Sequence, residues 1–226
     1  MKTINVPVLN IYEFECDPDL LDKAYQDFLS QPVDFPKDYV DFPGEEPGKT
    51  TIYGYLDQED AIPWYHDELY NWLQTCIDEV SATSLQWPLD ICDTWTTKTT
   101  YKQKVKPHEH VFSVYSGLLY FTDHTGSNTL FYYKDAVREK YKDISPWQEP
   151  QGRLEFTPTK GKLLIFPSHL VHETKTHSEI KNTRHTLSFN TFFSGRLCSV
   201  PTRFLETRIV TPKERYNAWK KKQEQK

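Results

Sequence analysis

Apolar positions keep a helical rhythm through the first third of the chain and then switch to alternation. Leu21, Ala24, Tyr25 and Phe28 recur at helical spacing behind Asp17 and Pro18, which suit an N-cap and a first helical turn. Leu69, Trp72, Leu73, Cys76, Ile77 and Val80 form a second stripe at i, i+3, i+4, i+7 spacing, with Pro63 placed for its first turn. Between them, residues 31–62 carry many prolines, acids and a PGEEPG turn, and read as an irregular wrap over the surface. From about residue 90 the period drops to two. The runs ICDTWTTKTTYK, HVFSVYSGLLYFTD, NTLFYYK, GRLEFT, GKLLIFP and RHTLSFNTFFSG are rich in Thr, Val, Tyr, Phe and Leu, and Gly, Asn, Pro and Asp punctuate them. At least six strands after two helices predict an α+β, mainly β fold, a sandwich or barrel with helices on one outer face. Residues 134–152 interrupt the strands without a pattern of their own, and a loop of that length suits a lid. The closing KKKQEQK reads as a solvated, fraying end.

Composition narrows the class. The 226 residues are enough for one sizeable domain, expected here as an N-terminal helical and wrapping segment (1–88), a strand core (89–195) and a C-terminal extension (196–226). Aromatics at 15% and charged residues at 26% argue against disorder. No stretch approaches the roughly 18 apolar residues of a membrane span, and MKTINVPVLNIYEF lacks the layout of a signal peptide, so a soluble, cytoplasmic protein is expected. Cys16, Cys76, Cys92 and Cys198 lie far apart and read as reduced, structural thiols. The net charge of -5 is uneven: residues 1–60 hold 4 Lys+Arg against 14 Asp+Glu. The positive remainder can attract an anionic small molecule, but it is too dispersed for a nucleic-acid patch.

The chemistry concentrates in the strand region. His108 and His110 bracket Glu109 at the start of HVFSVYSGLLYF, where alternation would turn both imidazoles to one face and Glu109 away. Such a pair can chelate one ion, but alone it is a weak signal. FPSHLVHET delivers His169 and His172 after a strand ending in Ile165, Phe166 and Pro167. In RHTLSFN, Arg184, Thr186, Ser188 and Asn190 share one strand face while His185, Leu187 and Phe189 take the other. A wholly polar face led by Arg is unusual in an otherwise apolar sheet, although an ordinary solvent-exposed face would look the same.

Together these parts resemble the Fe(II)- and 2-oxoglutarate-dependent oxygenase superfamily, and more closely its small prolyl-hydroxylase-like members found among phages and marine bacteria. The resemblance rests on Trp95, the His108-x-His110 pair, Ser116-Gly117, the Gly161–Ser168 segment followed by His172, Arg184, and Phe189-Asn190, and covers about residues 90–193. It implies a double-stranded β-helix, the cupin-like jelly roll, with iron at one mouth. It further implies His108, His110 and His172 as ligands. The commoner members have an acid where His110 stands, so this chain departs toward a three-histidine site, which keeps zinc open as a competing metal. Arg184 matches the arginine that clamps the distal carboxylate of 2-oxoglutarate, Thr186 its hydroxyl partner, and Tyr120 could add a phenolic hydrogen bond to the same carboxylate.

His169 falls to a turn or supporting place, and His66, His124, His177 and His185 have no partner pattern. The implied activity is a dioxygenase that uses Fe(II), 2-oxoglutarate and dioxygen, with ascorbate as reductant, to hydroxylate a peptide side chain, a nucleobase or a small molecule. Two rivals remain at this stage: a cupin-like metal-binding module or dioxygenase that does not use 2-oxoglutarate, and a non-enzymatic jelly-roll protein. Arg184 discriminates the first and metal content the second.

Overall fold

A computed structural model describes residues 2–6, 9–30, 50–51, 66–85, 87–99, 101, 104–133, 152–175, 178, 182–196, 206–207 and 209–225. Among them, strands β1 (Lys2–Val6) and β2 (Leu9–Glu15) precede helix α1 (Pro18–Ser30). Strand β3 (Thr50–Thr51) and helix α2 (Asp67–Ser84) come next. The strand series then runs β4 (Leu89–Thr99), β5 (Val105–His108), β6 (Tyr115–Tyr120), β7 (Thr129–Tyr133), β8 (Gly152–Phe156), β9 (Lys162–Pro167), β10 (His172–Thr174) and β11 (Arg184–Phe193). Two short strands, β12 (Gly195–Arg196) and β13 (Glu206–Thr207), and helix α3 (Pro212–Glu224) follow.

Seven strands form one sheet in the order β1-β2-β9-β6-β11-β4-β3, and four form a second in the order β5-β10-β7-β8. Every pairing is antiparallel, which permits one sheet face to be apolar and the other polar. Alternation along β6, β9 and β11 sorts their side chains into two cores. Tyr115, Leu119, Leu163, Ile165, Leu187 and Phe189 face α1 and α2 in the larger one. Leu118, Tyr120, Leu164 and Phe166 face Phe131 of the second sheet in the smaller one. The predicted architecture holds: an α+β, mainly β jelly roll whose outer face is braced by the N-terminal helices.

Both predicted helices form. Asp17 Oδ1 accepts from the backbone N–H groups of Asp19 and Leu20 at 3.0 Å, and Pro18 opens α1. Helix α2 begins at Asp67, with His66 as its cap and His66 Nδ1 accepting from Leu69 N–H at 3.2 Å. Pro63 lies outside the described residues, as do residues 31–49, 52–65 and 134–151, which include nearly all of the expected wrap and lid.

Two expectations change. The run HVFSVYSGLLYFTD is not one strand: β5 ends at His108, a turn occupies residues 111–112, and β6 starts at Tyr115 in the other sheet. The chain tail is helical through Glu224 with its last turn exposed, so the solvated end is a helical one, and α3 is tied down at its start, where Arg215 reaches the Cys92 carbonyl at 2.6 Å and Lys213 reaches Asp67 at 2.8 Å.

Candidate metal centre and anion pocket

His108 closes β5, His110 follows two residues later, and His172 opens β10, where strand pairing sets His172 directly opposite His108. One nitrogen from each ring lies within 4.8 Å of the others, in a set graded from the partly exposed His108 to the buried His172. The ring orientations are fixed from behind. His172 Nδ1–H donates to the Leu170 carbonyl at 2.9 Å, and His110 Nδ1–H donates to Asn190 Oδ1 at 2.8 Å. Both Nε2 atoms therefore present lone pairs, and they face each other at 3.2 Å. Burial, and then the neighbouring His108, pulls the His110 pKa down to about 4. Burial also holds His172 well below its ordinary value, with His108 and His110 adding to the effect. Two neutral imidazoles with opposed lone pairs repel unless a cation lies between them, so the residues present fit a divalent metal.

No carboxylate among the described residues joins this group. Glu109 is exposed, and Glu173 accepts the hydroxyl of Tyr132. An all-imidazole donor set suits iron and zinc alike. Trp95, on β4, stacks on His110 with ring centroids 5.2 Å apart.

The second half of the site stands on β11. Arg184, Thr186 and Ser188 line the same cavity as the three histidines, a space of about 440 Å³ with its open mouth included. Arg184 is 1% exposed, and no carboxylate of the described residues pairs with it. Its guanidinium donates to Thr129 Oγ1 at 3.0 Å and lies 5.4 Å from the centroid of the Tyr120 ring, while its Nε is buried without a partner. Thr186 Oγ1 and Thr99 Oγ1 are likewise buried and unpartnered. A buried cation ringed by unfilled polar atoms is costly alone, and an anionic ligand with several oxygens satisfies it. The residues thus fit a dicarboxylate as well as a metal.

The Tyr120 hydroxyl donates to Thr129 Oγ1 at 2.8 Å, so Thr129 is the shared acceptor that holds tyrosine and arginine together. Sequence reasoning missed Thr129, because nothing marks one strand threonine among many until the strands are paired. Asn190 was placed on the right face without a role.

The remaining histidines stand apart. His169 is exposed in the turn after β9, and His66 caps α2. His124 Nδ1 accepts from Gly126 N–H at 3.0 Å, and His185 Nδ1 shares a hydrogen bond with the Tyr25 hydroxyl at 2.5 Å. His177 lies outside the described residues.

A family model described as "Putative 2OG-Fe(II) oxygenase" matches residues 93–190, the stretch that carries all three histidines and Arg184. No curated protein sequence matches the chain. Among solved structures, an oxidoreductase of the 2OG-Fe(II) oxygenase family from Burkholderia pseudomallei is 12% identical with a TM-score of 0.53, over 80% of this chain and 83% of that one. A prolyl-4-hydroxylase from Pseudomonas putida is 13% identical with a TM-score of 0.53, over 83% and 94%. HygX from Streptomyces hygroscopicus, with nickel and 2-oxoglutarate bound, is 12% identical with a TM-score of 0.51, over 88% and 93%. The structural likenesses bear on the fold. The family match, over fewer than half of the residues, points to a 2OG-Fe(II) oxygenase.

Proposed function

We propose, on the premise of that family match, that His108, His110 and His172 hold Fe(II), that Arg184 and Thr186 hold the distal carboxylate of 2-oxoglutarate, and that the protein hydroxylates a C–H bond. When bound, metal and co-substrate supply the oxidation, which converts substrate, 2-oxoglutarate and O2 into hydroxylated substrate, succinate and CO2.

The chain supplies position and surroundings. The His110 and His172 rings are held neutral by burial and aimed by their Nδ1 hydrogen bonds, so their lone pairs need no deprotonation to bind metal. Three neutral ligands leave a bound dication its full charge, which a dianionic co-substrate offsets. Arg184 presents a planar fork for a bidentate, charge-assisted contact, Thr186 Oγ1 lies free for another, and Tyr120 supports the arginine through Thr129. Leu118 and Phe166 complete an apolar wall that excludes water from the space between them.

One observation carries the reading: facing Nε2 lone pairs and an unpaired, buried guanidinium share one cavity. Purified protein given Fe(II), ascorbate, 2-oxoglutarate and air should form succinate, and His172→Ala should abolish it. Equal succinate from both proteins contradicts the assignment. The prolyl-hydroxylase-like layout of the motifs, and the fold shared with the Pseudomonas putida enzyme, make a prolyl or other peptide side chain the first substrate class to test. A proline-containing peptide that is a substrate should speed succinate formation and gain one oxygen by mass spectrometry.

A further inference from the structure

Behind His110 lies a polar chain that the proposed reaction does not itself require. Asn190 Oδ1 receives the His110 ring at 2.8 Å and the Ser116 hydroxyl at 2.7 Å. Ser116 Oγ meets Ser168 Oγ at 2.8 Å, and Ser168 Oγ meets Ser113 Oγ at 2.7 Å. Ser113 in turn takes the Thr191 N–H at 3.3 Å and lies 3.1 Å from the carbonyls of Tyr115 and Thr191. Ser116 and Ser168 are fully buried, so this is an interior network that joins β6, the β9 turn and β11.

Each hydroxyl has one proton to give: Ser116 donates to Asn190 Oδ1, whereas Ser168 donates to Ser113 and Ser113 to the Tyr115 and Thr191 carbonyls. The Asn190 amide can sit in either of two ways, and in one Ser116 donates to its Oδ1. The amide oxygen then also accepts from His110 Nδ1–H, and His110 Nε2 is a bare lone pair turned toward His172. In the other, the Asn190 amide is reversed and its NH2 group donates to both Ser116 and His110 Nδ1. That arrangement leaves the His110 proton on Nε2, where it bonds to His172 Nε2 and closes the pair against a cation. The orientation found, with Oδ1 facing both ring and hydroxyl, is the receptive one.

We propose that Asn190 is a positioning residue: its amide oxygen, held by the Ser116 hydroxyl, selects the His110 tautomer that can bind metal. This rests on His110 being a metal ligand. It differs from a merely structural role because aspartate, which only accepts, would lock the receptive tautomer, whereas alanine would leave it unselected.

The test is Co(II) binding to the full chain, followed by equilibrium titration and the visible ligand-field spectrum, with the melting temperature of each metal-free variant alongside. Asn190→Ala should weaken Co(II) affinity on the order of 10- to 100-fold and change the spectrum. Asn190→Asp should bind at least as tightly as wild type. Ser116→Ala, which removes one hydroxyl and leaves Asn190 in place, should weaken binding less than Asn190→Ala; if Asn190→Ala does not fold, this variant and Asn190→Asp carry the test. Wild-type affinity and spectrum in Asn190→Ala and Ser116→Ala overturn the proposal while leaving the metal centre intact. Loss of binding in Asn190→Asp equal to that in Asn190→Ala also overturns it. A wild-type protein that binds no Co(II) overturns both this proposal and the ligand assignment beneath it.

Discussion

Arg184 is a residue whose burial the fold alone does not explain. A buried guanidinium without a carboxylate costs folding free energy, and burial pulls its pKa below the ordinary value. Arg184→Met should therefore leave the melting temperature of the ligand-free protein unchanged or higher, while weakening 2-oxoglutarate binding to the metal-loaded protein by about 100-fold or more. Phe112 makes the opposite case. It holds φ +59° and is 92% exposed, so its ring gains little from burial while its backbone sits in the left-handed region. Asparagine tolerates that region, and Phe112→Asn should raise stability by about 1 kcal/mol, read as a melting temperature higher by roughly 2–4 °C. At this scale the histidines and the arginine were legible, because such groups are uncommon and their chemistry narrow. Thr129 and Asn190 were not: threonine and asparagine are ordinary in strands and turns, and only their cross-strand neighbours assign them work.

Strand β11 is legible in its alternation and consequential on both faces. Its polar face lines the cavity, and its other face carries His185, Leu187 and Phe189 toward α1 and α2. Phe189 fits only because Gly117 on β6 has no side chain; a Cβ there would lie 2.1 Å from the ring. Gly117→Ala should thus destabilise by roughly 1–3 kcal/mol in urea unfolding, the range of an overpacked core. His185 reports on the α1 contact through the Tyr25 hydroxyl.

Burial first, and then Lys98, lower the His185 pKa from 6.5 to about 4. The unfolded chain binds the proton more readily across that window, so stability falls as pH drops from about 6.5 to about 4 and levels off below. The loss is at most roughly 3 kcal/mol. Unfolding free energies measured against pH should show a shallower slope in His185→Gln. An unchanged slope would remove His185 from the account. Strands β5 and β10 escaped the sequence because three or four residues cannot show a period, and pairing alone makes them strands. The turn that divides β5 from β6 was hidden by an unbroken run of strand-forming residues.

In the molecule as a whole, two sheets meet around a cavity to which each contributes half of the chemistry. The four-stranded sheet brings His108 and His172, and the seven-stranded sheet brings Arg184 and Thr186. His110 bridges the halves, since its backbone N–H bonds to Ser168 and its ring to Asn190. Spacing alone could not reveal this division, because it arises from strand order rather than from distance along the chain.

On the proposed assignment, metal and co-substrate binding are interdependent: 2-oxoglutarate anchored on one sheet should bind tightly only when the metal on the other is present. The most direct measurement is an anaerobic titration of the protein with 2-oxoglutarate, with and without Fe(II), followed by the visible charge-transfer band that a metal-bound 2-oxo acid gives. One equivalent should saturate the band in the wild type with Fe(II), and the band should be absent without Fe(II) and in His172→Ala. No band in the wild type, or the same band in His172→Ala, would contradict the shared site.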